Sequence, residues 1–349
     1  MKKRFFVIII LCFLQTTTFA NEPVIKVTRI WNEAPHNAFT DLIRFKGKFY
    51  CVFRESAAHV PRKREEDGKI RVLVSENGEQ WTSLALLSEN GYDYRDPKLF
   101  VTRKGKLTVL IGASVYEDGK FVSQHNYVAF LDKAGKNFSK PVAVQLDKSV
   151  AAGNNWLWRV TWQGKAGYGV MYQMQQNAGP RTARLFLMKT TDGIRYSLVT
   201  PLEVNGFPNE STVLMQPDKE MLIVVRRDSA SATSGKMGRS KPPYTHWEWA
   251  DMGIRLGGPN MIRTAEDALL LGTRCYNEKQ QPYTGILSVD ASGNHAPLIS
   301  LPSGGDNSYP GMLVLGDTLW VSYYSSHEGK AGIYLAQIPM REVHPMKTK

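Results

Sequence analysis

Two residues of this sequence, Glu210 and Tyr309, could together carry out covalent chemistry. A tyrosine alone is a poor nucleophile at neutral pH because the reference pKa of its phenol is about 10. A neighbouring carboxylate can accept the phenolic proton, and nearby arginines favour the phenolate. The alternative is structural, with Tyr309 stacked on Pro310 and Glu210 paired with an arginine.

Three arginines share one position in a repeated pattern, each lying seven residues after a turn residue. They are Arg54, Arg226 and Arg274, which follow Gly47, Lys219 and Asp267. Like charges converge only at a cost unless an anion or carboxylates offset them. Because the guanidinium fork binds carboxylates through two hydrogen bonds, the pattern predicts a carboxylated ligand. The alternative is that these are solvated ends of strands.

Six polar clusters recur along the chain at intervals of about fifty residues, each leading into an apolar run, a turn and a second apolar run. Aligned at one position, they contain Asp41, Asp96, Arg159, Glu210, Asn260 and Tyr309. Further polar candidates at the same strand ends are Arg95 and Arg227. Repeats of this length with strand patterning are typical of propellers, in which such ends converge on the central axis.

The first repeat shows the predicted unit, with short apolar runs at 41–45, 48–53, 70–74 and 81–87 separated by glycine turns. We therefore predict an all-β, six-bladed β-propeller with four antiparallel strands per blade. The last repeat has only one clear outer run, 332–338. The run 24–30 is predicted to complete that blade and close the ring, although it could instead form a peripheral strand.

The first twenty residues combine a basic start, an apolar run at 5–14 and Ala20 before Asn21. This pattern predicts a signal peptide at 1–20, because about ten apolar residues are too few to span a bilayer. The propeller is expected at 21–340 and a basic C-terminal tail at 341–349. The mature protein is expected to be exported, periplasmic or secreted, without stable membrane insertion.

The formal net charge of +12 is compatible with an acidic glycan, a membrane surface or nucleic acid. No Lys/Arg block longer than 62–64 is present, so nucleic acid is not an expected partner. Cys51 and Cys275 lie in non-adjacent repeats and are expected to be free thiols. His36 is isolated in sequence, and neither a metal site nor a cofactor is predicted. A monomer is expected.

At these residues the chain resembles the sialidase superfamily of six-bladed propellers. Segments 75–81, 132–138 and 190–196 resemble its Asp-box turns, and Asp96-Pro97 resembles its substrate-contacting Asp-Pro pair. The order Glu210, Arg226, Arg274, Tyr309 resembles the family's glutamate, two carboxylate-binding arginines and nucleophilic tyrosine. The resemblance implies a retaining exo-α-sialidase-type hydrolase that needs no cofactor.

Two features depart from the family pattern. The family's first blade begins with Arg-Ile-Pro, whereas this chain has Ala38 to Asp41, so the first carboxylate-binding arginine is missing. Arg54, Arg95 or Arg159 could replace it. The family's acid/base aspartate has no clear counterpart after Arg54, and His59 and Asp67 are equal candidates.

The sequence thus predicts an exported, sialidase-like glycoside hydrolase acting on a terminal, carboxylated sugar. Two alternatives stay open. One is a hydrolase or lyase of other acidic, uronic-acid glycans, and the other is a non-catalytic carbohydrate-binding propeller.

Overall fold

The computed structural model describes residues 25–175 and 182–346, which form an all-β ring of six antiparallel sheets. The predicted six-bladed propeller is confirmed. From the innermost strand outward, blade 1 contains His36–Phe45, Lys48–Ser56, Lys69–Ser75 and Thr82–Leu87. Blade 2 contains Asp93–Val101, Leu107–Glu117, Lys120–Phe130 and Val142–Ala143. Blade 3 contains Asn154–Gln163, Ala166–Gln175, Thr182–Thr190 and Arg195–Leu202. Blade 4 contains Pro208–Met215, Met221–Arg227, Ser234–Ser240 and Glu248–Arg255. Blade 5 contains Asn260–Arg263, Leu269–Tyr276, Pro282–Val289 and His295–Leu301. Blade 6 contains Asn307–Leu315, Thr318–Ser325, Gly332–Pro339 and Lys26–Trp31.

Each blade has apolar residues on both faces because it packs between two neighbours. Val52 and Val72 of blade 1 and Val109 and Ile111 of blade 2 are fully buried in one such layer. Blade 3 has a fifth strand, Gln145–Leu146, which runs parallel to its outermost strand. Closure of the ring pairs or covers sheet edges that a lone blade would expose.

The first described strand closes the ring. Lys26–Trp31 pairs antiparallel with Gly332–Pro339 of blade 6, with Lys26 opposite Gln337. The prediction that the N-terminal run completes the last blade is confirmed. The predicted signal peptide lies outside the described residues and stays a prediction. Of the predicted tail, 341–346 is described, and Val343 is buried against blades 5 and 6.

A β-bulge interrupts the inner strand near its start in five blades and shifts the alignment predicted from sequence. In blade 1 the pairing moves from Ala38 to Asp41, which leaves Phe39 and Thr40 in the bulge. The first bulge residues of blades 1, 2, 3, 4 and 6 are Phe39, Asp96, Trp158, Asn209 and Tyr309.

This register corrects the repeat alignment. Phe39, not Asp41, is the counterpart of Asp96 and Tyr309, and these three share a positive φ of 64°, 48° and 52°. Similarly, Trp158 replaces Arg159 and Asn209 replaces Glu210 in the alignment. A bulge adds one residue to a strand and re-aims a side chain, which polar spacing alone does not reveal.

The register also corrects the predicted equivalence of the arginines. Arg54 lies opposite Ala38, and the residue in the corresponding place of blade 4, opposite Pro208, is Arg227. Arg226 lies one residue earlier, opposite the bulge. The seven-residue spacing was therefore coincidental for Arg226, because the turn that precedes it differs in length.

Turns between third and fourth strands are closed by side chains, as the resemblance implied. Ser75 Oγ accepts the Gly78 N–H at 2.8 Å, and Thr190 Oγ1 accepts the Gly193 N–H at 2.8 Å. Cys51 and Cys275 are buried free thiols, as predicted. Among the described residues, no helix is long and apolar enough to cross a membrane.

Candidate functional site

Tyr309 and Glu210 meet where the inner strands begin and the second strands end, at the end of the ring axis that we call the mouth. Tyr309 Oη donates a hydrogen bond of 2.5 Å to Glu210 Oε1. Each side chain begins at a bulge, in blades 6 and 4 respectively, and both residues are buried. The predicted contact between phenol and carboxylate is therefore present.

Arg226 and Gly258 complete what we call the Tyr309 cluster, defined as Tyr309, Glu210, Arg226 and Gly258. Arg226 Nη1 donates to Glu210 Oε1 at 2.7 Å and lies 3.3 Å from Tyr309 Oη. The Gly258 N–H donates to Glu210 Oε2 at 2.7 Å. A Cβ on Gly258 would lie 2.5 Å from Tyr309 Cγ, so only glycine leaves room for the ring.

The protonation of the cluster follows from burial and its charges. Burial and the charge of Glu210 raise the pKa of Tyr309 well above its usual value, although Arg226 opposes this. Burial alone would raise the pKa of Glu210, but Arg226 and the hydrogen bonds from Tyr309 and Gly258 hold that pKa below its usual value. At rest, the phenol is protonated and the carboxylate ionised, as a nucleophile with its base requires.

Aromatic rings surround Tyr309 on two sides. The Phe39 ring lies 5.0 Å from it, and the Trp158 ring lies 5.7 Å away in an edge arrangement. Thr40 Oγ1 also donates to the Tyr309 carbonyl at 2.9 Å. Phe39 lies in the bulge of blade 1, so this side of the cluster is apolar.

Arg274 approaches Tyr309 from blade 5. Its guanidinium carbon lies 5.6 Å from the centre of the Tyr309 ring. Its Nη2 donates to the Asn307 carbonyl at 2.6 Å and to Tyr324 Oη at 3.0 Å, and lies 3.5 Å from Asp306 Oδ1. Arg226 has a second carboxylate partner too, Asp228, at 3.0 Å.

The arginines of blades 1 and 2 are bound to Asp93. Arg54 is fully buried, and its Nε donates to Asp93 Oδ1 at 3.0 Å. Arg95 Nε lies 3.7 Å from Asp93 Oδ2, and Arg95 donates to Tyr116 Oη and to the His59 carbonyl. Arg54 thus ties blade 1 to blade 2 and does not face the mouth, whereas Arg95 borders it.

Arg159 and Asn260 lie inside the ring and not at the mouth. Arg159 Nη1 contacts both carboxylate oxygens of Asp41 at 3.0 Å, which ties blade 3 to blade 1. Asn260 donates to the Pro310 carbonyl at 3.1 Å. Both line an axial cavity of about 540 Å³. Arg227 points outward and donates to the Ser234 carbonyl and Asp251.

Every arginine predicted to bind substrate therefore has an acidic partner within the protein. The internal pairs are Arg54 and Arg95 with Asp93, Arg159 with Asp41, Arg226 with Glu210 and Asp228, Arg227 with Asp251, and Arg274 with Asp306. The converging positive charge from which a carboxylated ligand was inferred is offset internally. That inference therefore loses its electrostatic support.

Asp96 is the carboxyl group least engaged by hydrogen bonds near the cluster. Its Oδ1 is buried and has no hydrogen-bond partner among the described residues. Burial raises its pKa, and Arg95 and Lys98 only partly offset this. Lys98 Nζ lies 4.4 Å from the Trp158 ring, and burial lowers its pKa to about 8. Asp96 and Glu210 thus have pKa values shifted apart, as an acid and a base require.

His59 and Asp67, the two candidates for the acid/base, lie in different surroundings. The His59 ring packs edge-on against Phe39 at 5.3 Å, and its Nδ1 contacts Asp306 Oδ2 at 2.7 Å. Asp67 lies beside Asp93, and burial raises its pKa to about 6. His59 therefore borders the ring that touches Tyr309, and Asp67 belongs to the surroundings of Arg54. The acid/base role of either residue stays a prediction.

His36 is not isolated, contrary to the sequence prediction. Its Nε2 contacts Asp306 Oδ2 at 3.0 Å, so it joins His59 and Asp306 in one group. The loop 303–306 borders the mouth. The loop at 240–244 lies on the opposite face, where the Tyr244 hydroxyl donates to the carbonyl of Lys219 in the turn between the first two strands of blade 4.

Sequence reasoning missed Phe39, Gly258 and Asp306 as parts of the site. The pair Gly257-Gly258 before Pro259 was a usable signal, since adjacent glycines often mark a close approach of backbone to another group. Phe39 and Asp306 had no such signal, because their contacts depend on ring closure.

Comparison with known proteins bears on the fold. No protein-family model and no curated protein matches the sequence. Among solved structures, a protein of unknown function from Dyadobacter fermentans matches with a TM-score of 0.74 and 16% identity over 91% of this chain and 100% of that one. Trypanosoma rangeli sialidase in complex with sialic acid matches with a TM-score of 0.65 and 12% identity, over 91% of this chain and 59% of that one.

A third match is the GH93 α-L-arabinofuranosidase of Fusarium graminearum in complex with arabinobiose, with a TM-score of 0.66 and 15% identity over 92% of this chain and 99% of that one. The chain shares the six-bladed fold of these glycoside hydrolases. At such low identity the comparisons show the fold alone. The chemistry must be argued from the Tyr309 cluster.

Proposed function

We propose that the protein is a retaining glycoside hydrolase in which Tyr309 is the nucleophile and Glu210 its base. The observation that carries this proposal is the 2.5 Å hydrogen bond from Tyr309 Oη to Glu210 Oε1, with Arg226 in contact with both. A buried phenol with an ionised carboxylate at hydrogen-bond distance has few structural uses that an apolar pair would not serve better.

In the proposed reaction, Tyr309 Oη attacks the anomeric carbon of a terminal sugar while Glu210 takes the phenolic proton. Asp96 gives a proton to the leaving oxygen, because its raised pKa keeps it protonated to a higher pH than an ordinary aspartate. Water then hydrolyses the glycosyl-tyrosine, with Asp96 now taking a proton from the water and Glu210 returning its proton to the departing Tyr309 Oη. The configuration of the anomeric carbon is retained.

A sialidase-type substrate is the first candidate, because tyrosine nucleophiles are the sialidase exception to the two-carboxylate mechanism. Arg226 and Arg274 are the side chains available to the sugar carboxylate, since both reach Tyr309 and keep part of their surface exposed.

A neutral terminal sugar is the second candidate. Phe39 presents an apolar ring beside Tyr309, and the first-blade arginine of the resembling family is missing. Arg226 and Arg274, like the other candidate arginines, are paired with acidic side chains of the protein. The arabinobiose complex of the Fusarium enzyme shows that a solved protein of this fold binds a neutral sugar.

Hydrolysis assays with two aryl glycosides test the proposal and separate the candidates. The mature protein is incubated with an aryl α-sialoside and an aryl α-L-arabinofuranoside, and product release is followed for wild type and Tyr309→Phe. Release by wild type but not by Tyr309→Phe supports the proposal, and the active substrate identifies the sugar class. Polyuronate with an ultraviolet readout tests the lyase alternative. Glycan binding without release of any product would favour the alternative of a non-catalytic carbohydrate-binding propeller.

A further inference from the structure

Three side chains from blades 1 and 6 direct metal-binding atoms toward one point at the mouth. His36 begins the inner strand of blade 1, His59 follows the second strand of that blade, and Asp306 precedes the inner strand of blade 6. Asp306 Oδ2 lies 3.0 Å from His36 Nε2 and 2.7 Å from His59 Nδ1. These atoms all lie within 4.8 Å of one another.

The carboxylate of Asp306 is held in place from its other side. Its Oδ1 accepts a hydrogen bond of 2.7 Å from Tyr324 Oη, and its backbone N–H donates to Ser326 Oγ at 2.9 Å. These contacts fix the orientation in which Oδ2 meets both imidazoles. In metal sites, outer partners of this kind hold a ligand carboxylate.

We propose that His36 Nε2, His59 Nδ1 and Asp306 Oδ2 bind a divalent transition-metal ion of the Zn²⁺ type. Two imidazole nitrogens with one carboxylate oxygen suit such an ion, and a site with three protein ligands keeps one position open. The proposal does not depend on any glycosidase activity.

Two of the three ligand distances fit after a small opening, and the third, between the two imidazole nitrogens, is at most 4.8 Å. Ligand atoms around a tetrahedral Zn²⁺ lie roughly 3.3 Å apart for bonds of 2.0–2.1 Å. The two hydrogen-bond contacts are therefore shorter than this by less than about 1 Å. His59 is 50% exposed and lies in a connection between strands, so it can supply the movement while His36, which is 11% exposed, stays fixed.

The open position of the ion faces the exposed side of the mouth, since the Asp306 side chain is 30% exposed as well. It lies close to the Tyr309 cluster, because Phe39 contacts both His59 at 5.3 Å and Tyr309 at 5.0 Å. A water or a sugar oxygen can occupy that position. The ion would then hold the glycan next to the proposed nucleophile.

The guanidinium of Arg274 opposes a bound cation. Arg274 Nη2 lies 3.5 Å from Asp306 Oδ1 and would repel the ion across the carboxylate. If this repulsion dominates, the group is only a hydrogen-bonded histidine–carboxylate assembly. Metal titration distinguishes the two possibilities.

The test uses the mature protein without a polyhistidine tag, treated with a chelator and dialysed. Isothermal titration with ZnCl₂ measures affinity and stoichiometry, and the visible absorption of Co²⁺ reports the ligand set. We expect one saturable site. His59→Ala and Asp306→Asn should each weaken binding by more than about 100-fold, and Tyr324→Phe, which removes an outer partner, by about 10-fold.

His246→Ala is the matched control, because His246 is an exposed histidine on the opposite face, and its affinity should equal that of wild type. A melting curve confirms that each variant is folded. Absence of saturable Zn²⁺ binding by wild type, or unchanged affinity in both His59→Ala and Asp306→Asn, would overturn the proposal. The Co²⁺ spectrum of wild type decides between nitrogen and oxygen ligands even if one variant does not fold.

Discussion

The two halves of the ring use arginine differently. In blades 1 to 3, Arg54 and Arg159 form ion pairs with carboxylates of other blades, and the Arg54–Asp93 pair is completely buried. In blades 4 to 6, Arg226 and Arg274 each have one carboxylate partner that stays about one third exposed, Asp228 and Asp306 respectively. The first half holds blades together, and the second half places partly exposed ion pairs around a phenol.

The difference shows that position in a repeat does not determine what a residue does. An arginine becomes structural when the adjacent blade supplies a carboxylate that closes it off from solvent, as Asp93 does for Arg54. It is available for chemistry when its partners lie at the mouth beside a reactive group, as with Arg226 and Tyr309.

The largest effect is expected for Glu210→Gln in blade 4. Glutamine cannot accept the phenolic proton of Tyr309, so kcat on the aryl glycoside that wild type hydrolyses should fall by about 10²–10⁴-fold. Steady-state kinetics measure this, with Glu203→Gln as a control at an exposed glutamate in the connection between blades 3 and 4. If Glu210→Gln keeps the wild-type kcat, Glu210 is not the base that accepts the phenolic proton.

Asp93→Asn tests whether the ion pairs of blades 1 to 3 hold the blades together. It leaves the fully buried guanidinium of Arg54 without a counter-charge, so the free energy of unfolding should fall by about 3–5 kcal/mol. Denaturant unfolding followed by fluorescence measures it. If the loss is below about 1 kcal/mol, Arg54 and Asp93 do not hold blades 1 and 2 together in the way described.

Asp228→Asn is the counterpart in the other half. Asp228 is partly exposed, so its removal should cost less than about 1 kcal/mol of unfolding free energy. Because Asp228 orients Arg226 toward Glu210, kcat should nevertheless fall by about 10-fold, a loss of about 1.4 kcal/mol in transition-state stabilisation. If Asp228→Asn loses as much unfolding free energy as Asp93→Asn, the arginine pairs of the two halves do not differ in their structural role.

The smallest effect is expected for Asp67→Asn and depends on pH. Burial raises the pKa of Asp67 from 3.8 to about 6, so the folded state binds its proton more tightly than the unfolded state does. Its contribution to stability is present below pH 4 and is lost as the pH rises to about 6. The variant should therefore exceed wild type in stability above pH 6, by less than about 1 kcal/mol because the group is largely solvated. Thermal melts at pH 4 and pH 7 measure this, and an equal difference at both would contradict it.

The sequence could reveal the ring because strand lengths and turns repeat at nearly constant spacing. It could also identify Tyr309, Glu210 and Arg226, whose types are uncommon together at inner strand ends. The bulge at Phe39 escaped detection because one extra residue in a strand leaves no mark in a polar pattern. The partners Asp93 and Asp306 escaped because they lie on neighbouring blades, and only closure of the ring brings them to their arginines.

The most direct test of the central claim is to trap the glycosyl-enzyme. Mature protein is incubated with fluorinated sialosyl and arabinofuranosyl fluorides, which slow hydrolysis of a covalent intermediate, and its peptides are analysed by mass spectrometry. Tyr323→Phe, a change to a buried tyrosine of the same blade that donates to the Pro302 carbonyl, serves as the control that should still be labelled. We expect one added sugar on the peptide that carries Tyr309 in wild type, and no added sugar in the Tyr309→Phe variant. A sugar on Glu210, or turnover by Tyr309→Phe at the wild-type rate, would contradict it.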